Sequence, residues 1–509
     1  MSRTSDVIVV GAGHNGLTCA AYLAEAGLEV VVLEARSFIG GNTATEELTL
    51  PGWRHDSCSS AHVVIQSNPL ISRDELGLLE RYGLEYIVSD PAVVFPNAGE
   101  DSLVFHPDLE RTRERVARYS PSDATALVEM VSEWEEGLRT VHAYVQSGLP
   151  ASDDEWARRY EELRRRSARE VIEEKFTHPV VRRAITWLAF ATIQSPIRPG
   201  TGVLPASIVT GRIRFGWTTP RGGSEALPRA LERHLVDHGG EVVLDASVAQ
   251  YLREGDRCVG VRTVDGREFF ARRAVVAGSH LRRLADQMDE PSADLLRAKE
   301  TWRPGLSVFA VHFALREHPT YRVDGEWRPA VAAGLGSPEG LHTQVAAAER
   351  GEVDLTSPWL LMVDSTVVDP SRAPGAAYKF LTIAPERVDG HEWTASDAEH
   401  YADQLVEFAR PHVRGLEEEN ILARVVESPT SLAAHSPANL GGSCHGGEFH
   451  DEGQILPGWL SPRAGVAGLY LTGSTSHPGG SVSGRPGRNA ARAVLEDLGP
   501  GGREVMARP

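Results

Sequence analysis

Gly11, Gly13 and Gly16 have the spacing of a loop that cradles phosphate, with His14 and Asn15 filling the turn between them. The first glycine permits a tight turn. The second lets a pyrophosphate approach the backbone, and the third lets the following helix lie close on the preceding strand. The flanking residues supply those elements. Asp6 to Val10 reads D-V-I-V-V, a run suited to a buried parallel strand. Leu17, Ala20, Ala21, Leu23 and Ala24 recur at helical spacing up to Gly27. The free N–H groups of that helix's first turn would face the phosphate charge. Glu29 to Leu33 is a second apolar strand, and Glu34 at its end can accept from ribose hydroxyls. The pattern predicts a dinucleotide site.

After Glu34 come Ala35, Arg36 and then Gly40-Gly41-Asn42-Thr43, where two adjacent glycines let the chain pass close to an extended dinucleotide. This E-A-R-x3-G-G run resembles the opening of FAD-dependent amine oxidases and phytoene (carotenoid) desaturases. The run Leu469 to Ala491, with Gly473-Ser474 and Gly479-Gly480-Ser481-Val482 inside it, is similar to phytoene-desaturase-related flavoproteins. It is closest to their non-carotenoid branch, named pyridine nucleotide-disulphide oxidoreductase domain-containing. Pro220 to Gly278 and Gly441 to Gly447 share the likeness, which spans the chain.

The resemblance implies FAD as cofactor. By it, Val248 presents its backbone to adenine, and Gly278 belongs to the same wall. Gly473 and Ser474 meet the ribityl or pyrophosphate, while Gly480, Ser481, Val482 and the helix near Pro486 approach the flavin ring. Many relatives carry an acid where Ser474 stands; a serine hydroxyl can still hydrogen-bond there. A helix N-terminus near the flavin N1 and C2 carbonyl would stabilise the negative charge that follows reduction. The branch name suggests disulfide chemistry, but Cys19, Cys58, Cys258 and Cys444 include no C-x-x-C. No second complete glycine fingerprint is present, so FAD alone is expected.

His62, His445, His450 and His477 lie in segments that such a fold would bring towards the flavin, and histidine is the usual group for proton transfer near neutral pH. No metal site is expected: His445 and His450 have no evident third ligand. Many amine oxidases carry a lysine on a substrate-domain strand that holds a water against flavin N5. The similar strand here, Leu306 to Leu315, has none.

The element order is α/β, helical and charged, α/β, mixed, then α/β. The predicted fold class is α/β plus α+β, with a Rossmann-like FAD-binding domain built from discontinuous segments and a mixed sheet/helical substrate domain. Residues 1–68, 220–285 and 431–499 are assigned to the FAD domain, 69–219 and 286–430 to the substrate domain, and 500–509 to a flexible tail. Arg158 to Lys175 reads as one solvated helix. Trp187, Phe190 and Phe215 are candidates to line the substrate space.

Composition narrows the function classes. The 509 residues carry 52 basic and 70 acidic side chains, a net charge of −18, which disfavours nucleic acid and anionic membranes as partners. No apolar run is long enough to span a bilayer, and the first strand begins too early for a signal peptide, so a cytoplasmic protein is expected. The leading expectation is an FAD-dependent dehydrogenase or oxidase moving hydride from a carbon of a small or medium apolar organic substrate to flavin N5. Oxygen or a quinone would then take the electrons. The alternatives are an amine oxidase giving an imine and hydrogen peroxide, and a non-catalytic FAD-binding assembly protein. A homo-oligomer is left open.

Overall fold

The computed structural model describes residues 2–451, 454–456, 459 and 461–499. Its first sheet is built around the strand Ser2–Val10, which pairs in parallel with Val30–Leu33 on one side and Glu268–Ala277 on the other. Glu241–Val243 extends the first edge in parallel. The long strand Glu268–Ala277 is shared along its length. Its first half pairs antiparallel with Arg257–Thr263, and its second half pairs in parallel with Leu469–Leu471 from the far end of the chain.

The continuous apolar runs of these strands have a cause: both faces of the sheet are covered. Val7, Val9, Val30, Val32 and Val276 face a core shared with the helices His14–Glu25, Ala226–Asp237 and Arg485–Leu498. Ile8, Val10, Val31, Leu33 and Val275 face an opposite core with Tyr251, Leu284 and Trp302. Glycine permits the closest approach here. A Cβ on Gly487 would stand 2.2 Å from the Asn15 carbonyl oxygen, so the last helix lies directly against the first.

The second sheet has seven strands. Their order is Ile421–Glu427, Ser307–Leu315, Ala376–Ala384, Leu360–Asp364, Ala332–Leu335, Val93–Asn97, Glu100–Phe105. All pairs are antiparallel except Ala332–Leu335 with Val93–Asn97. One face packs on the helix Ala395–Ala409. The other packs on a helical layer that includes Pro179–Ala189 and Leu204–Phe215. Within that layer the helix Pro121–Glu133 passes through a wider π-helical turn, Trp134–Leu138, into Arg139–Gln146. Such turns recur at functional sites because they redirect side chains.

Several expectations change. Tyr86–Ser89, Val93–Asn97 and Glu100–Phe105 are strands inside the stretch that reads as mainly helical. Their apolar runs are too short to declare a period. Arg158 to Lys175 is two helices, Glu155–Arg165 and Ala168–Lys175. Ser167 restarts the second with a capping box to Glu170, satisfying two orphan N–H groups. Residues 500–509, expected as a tail, lie outside the described residues.

Candidate active site

A cavity of about 930 Å³ begins at the carboxyl ends of the first sheet's strands and reaches the face of the second sheet. Gly11, Gly13, His14, Asn15, Gly16, Glu34, Ala35, Arg36, Gly41, Asn42, Val248, Gly278, Gly473, Ser474, Gly480, Ser481, Val482 and His445 all line it. Gly11 has φ +97°, a left-handed turn that glycine adopts without strain. A Cβ on Gly16 would lie 2.0 Å from the Gly11 carbonyl oxygen, which accounts for the third glycine of the loop. Glu34 lies beneath the loop. Its Oε2 accepts from Ala12 N at 2.8 Å and its Oε1 from Arg36 N at 3.0 Å.

Two expected wall residues stand behind the wall. The Gly40 N–H donates to the Ala12 carbonyl at 2.9 Å, and Thr43 spends its hydroxyl on the Gly40 carbonyl at 2.6 Å. Asn42 does reach the cavity, and its side-chain amide donates to Asn439 Oδ1 at 2.8 Å and to the Cys444 carbonyl at 3.1 Å. It thereby joins the first glycine-rich segment to the last third of the chain.

Of the three candidate histidines whose side chains are described, only His445 lines the cavity. Burial pushes its imidazole down to about 4, so it is neutral at physiological pH. Its Nδ1 lies 3.3 Å from Cys444 Sγ. His62 is buried off the cavity, with Nε2 3.1 Å from Ser224 Oγ and Nδ1 3.4 Å from Tyr86 OH. His477 holds a loop instead, its Nε2 2.6 Å from the Val145 carbonyl. His450 lies on the strand Glu448–Asp451, and its side chain falls outside the described residues. Trp187 and Phe190 are core. Trp187 stacks on Trp359 at 5.4 Å, and Phe190 meets the same indole edge-on at 5.1 Å. Only Phe215 of that trio reaches the cavity.

Three features have no clear sign in the sequence. The first is Lys379, in the run A-A-Y-K-F-L-T-I-A of a buried strand. Its ammonium donates to the carbonyls of Asp56 at 3.2 Å, Ser57 at 3.3 Å and Cys58 at 2.6 Å. It sits opposite His312 of the strand Ser307–Leu315, so the second sheet does carry a lysine, one strand away from the expected place. Next to it Asp56 is fully buried. Burial opposes its charge, but Arg372 at 3.0 Å and donors from Ser224 and Thr45 hold its carboxyl below the usual range. One signal was available: lysine is scarce in this chain, and this one interrupts an apolar strand.

The second is the pairing of Cys58 with Cys444, remote in sequence and in contact at the cavity wall. The Cys58 thiol is lowered by its hydrogen bond with Cys444, while that same bond pushes Cys444 up. The third is Arg212, buried on the cavity wall with Nε and Nη1 lacking hydrogen-bond partners. Its guanidinium lies 4.3 Å over the Trp217 ring, and burial pushes its pKa down to about 9.

The residues present fit a flavin dinucleotide. The glycine loop leaves room against the backbone. Around it, buried polar atoms lack partners within the protein: His14 Nε2, Asn15 Oδ1 and Arg36 Nη1. Gln287 Oε1, whose amide nitrogen donates to the Val248 carbonyl at 2.8 Å, is in the same condition. Buried polar atoms are normally paired, so this cluster points to a polar ligand. The volume matches pockets that enclose ligands of substantial size.

A dinucleotide-binding oxidoreductase with a second sheet on the same cavity is the class that this fold and cavity define. The family profile described as "Flavin containing amine oxidoreductase" matches residues 16–495. The chain belongs to that family; it is an enzyme, and its cofactor is a flavin. The mouse (Mus musculus) pyridine nucleotide-disulfide oxidoreductase domain-containing protein 2 is 25% identical, covering 97% of this chain and 94% of that one. A component of the limonene dehydrogenase of Castellaniella defragrans is also 25% identical, over 98% and 95%. The lycopene-forming phytoene desaturase of Pantoea ananas is 24% identical, over 96% and 99%. Among solved structures, a putrescine oxidase variant with redesigned cofactor binding shares the fold at TM-score 0.64 and 15% identity, over 98% and 99%. The resemblance in the sequence is thus borne out, and the reading as a non-catalytic assembly protein falls. Among the described residues no helix is long and apolar enough to cross a membrane.

Proposed function

We propose that this chain is an FAD-dependent dehydrogenase or oxidase acting on a carbon of a small, mostly apolar organic molecule that carries one hydrogen-bond acceptor. When bound, the flavin supplies a two-electron acceptor at N5. The protein's part is to bind, orient and keep water out. Gly11 to Gly16, Glu34 and Gly473 to Val482 would hold the cofactor. Ile193, Ile208, Phe215 and Trp217 would enclose the substrate, with Arg212 as the cationic anchor. His445, neutral and on the wall, would take the proton.

The observation that carries this reading is Arg212: a buried cation with unused donors, set among apolar side chains of the same cavity. The volume supports a small substrate as well. A dinucleotide fills most of about 930 Å³, so a molecule the size of limonene suits the remainder better than a long polyene. Amine oxidation is the weaker reading. An ammonium has three donors, and those of Lys379 meet three carbonyls, so Lys379 has none spare for a water.

The test is anaerobic mixing of the yellow holoenzyme with terpenes, terpene alcohols, carboxylated analogues and amines, while following flavin absorbance. Bleaching by small apolar molecules bearing an acceptor is the expected result. Bleaching by amines alone, with peroxide formed in air, would reverse the ranking.

A further inference from the structure

We propose that Glu25, His234 and His238 form a binding site for one divalent transition-metal ion, zinc by preference, at the end of the first helix remote from the cavity. The spacing of residues along the chain predicts no such site. Nε2 of His234 and Nε2 of His238 each lie 2.9 Å from the same Oε2 of Glu25. The three ligand atoms all fall within 4.8 Å of one another.

The hydrogen-bond arrangement favours a cation at their centre. His238 Nδ1 lies 2.8 Å from the His234 carbonyl oxygen, a contact that holds the ring with Nε2 turned towards Glu25. The two rings are stacked, 4.2 Å apart and 18° from parallel, so both bring Nε2 to the same carboxylate oxygen. An ion at their centre would be met by two imidazole nitrogens and one carboxylate oxygen.

The fold adds to this. Residues four apart share one helix face, so His234 and His238 form a natural chelate. Glu25 is the last residue of the helix His14–Glu25, and His238 caps the helix Ala226–Asp237. Two helix carbonyl ends therefore converge on one point, and both favour positive charge there. Two imidazoles and a carboxylate suit zinc, with a water as fourth ligand. Bonds of about 2.0–2.2 Å set ligand edges near 3.3 Å. The observed 2.9 Å contacts thus need to open by a few tenths of an ångström, and the part-exposed Glu25 side chain has room to move. His234 Nδ1 is buried without a partner, so the outer shell is incomplete and the affinity falls below that of a fully buttressed site. The ion would pin together the helix that carries the phosphate loop and the helix Ala226–Asp237.

The test uses chelator-stripped holoenzyme titrated with zinc, reading bound metal by mass spectrometry of the digested protein and unfolding temperature in parallel. The expected result is one zinc per chain, a raised unfolding temperature, and at least tenfold weaker binding in both Glu25→Gln and His238→Asn with flavin content unchanged. His238 is part-exposed, so its replacement spares the core. Absence of stoichiometric zinc on the wild-type protein, or equal retention by both variants, would overturn the site.

Discussion

Lys379 Nζ donates to the Cys58 carbonyl at 2.6 Å and so fastens the middle strand region of the second sheet to the segment that follows the glycine-rich loops. Both residues line the cavity, and no other lysine among the described residues shares this bond. With Asp56 and Ser57 also accepting from the ammonium, three backbone carbonyls depend on one side chain.

Lys379→Met removes those donors and leaves the carbonyls buried. Each unsatisfied group costs about 1–3 kcal/mol. The expected outcome is a lowered denaturant midpoint, with loss of flavin, read from the ratio of flavin to protein absorbance. An unchanged midpoint would show that water replaces the ammonium.

Gly480→Ala places a Cβ 2.5 Å from the His445 carbonyl oxygen, a backbone atom that cannot swing aside. Overpacking of this kind costs roughly 1–3 kcal/mol. Flavin affinity should fall at least tenfold by fluorescence titration, while far-ultraviolet circular dichroism stays unchanged.

Acid should weaken the fold through histidines held neutral. Burial pushes His14 and His445 down to about 4, and His62, His142 and His280 to about 3. Unfolding restores ordinary values, so below about pH 6.5 the unfolded chain binds more protons. Stability therefore falls as pH drops from about 6.5 towards about 4, and levels off once the folded-state values are passed. Urea midpoints measured across that range check the slope; a flat profile would contradict it.

Cys58 should be the first thiol alkylated. Its contact with Cys444 lowers it, whereas burial pushes Cys258 up to about 11 and Cys19 higher still. Limited iodoacetamide labelling followed by peptide mass spectrometry should find Cys58 ahead of the other three. Bound FAD should slow the reaction, because Cys58 lines the cavity.

Arg212→Met should trade stability against turnover. Removing a buried cation whose Nε and Nη1 have no hydrogen-bond partner relieves its desolvation, so the unfolding temperature should rise by a few degrees. kcat/KM for substrates bearing an acceptor should fall at least tenfold. A falling unfolding temperature would mean that its contact with Trp217 outweighs the burial of charge.

The glycine loop, Glu34 and the closing strand–loop–helix are legible because each obeys a local rule: residue type, spacing and flanking period. The strands Ser307–Leu315 and Ala376–Ala384 are legible for the same reason, being apolar runs of useful length. What stays hidden depends on meetings between distant segments. Nothing near Cys58 announces Cys444, and His477 has the chemistry of a proton carrier although its Nε2 is committed to Val145. Trp187 and Phe190 mislead because aromatic character does not distinguish a cavity wall from a core. The zinc ligands fall likewise on two helices, and only the His-x3-His half is local.

Because Glu268–Ala277 gives half its edge to Leu469–Leu471, the cavity lacks a wall until the carboxyl-terminal strand is in place. On the ribosome, then, nearly the entire polypeptide must emerge before the pigment can be captured. A nascent chain halted short of Leu469 would expose the unpaired edge of Val275–Ala277, so premature termination threatens clumping as well as colourlessness.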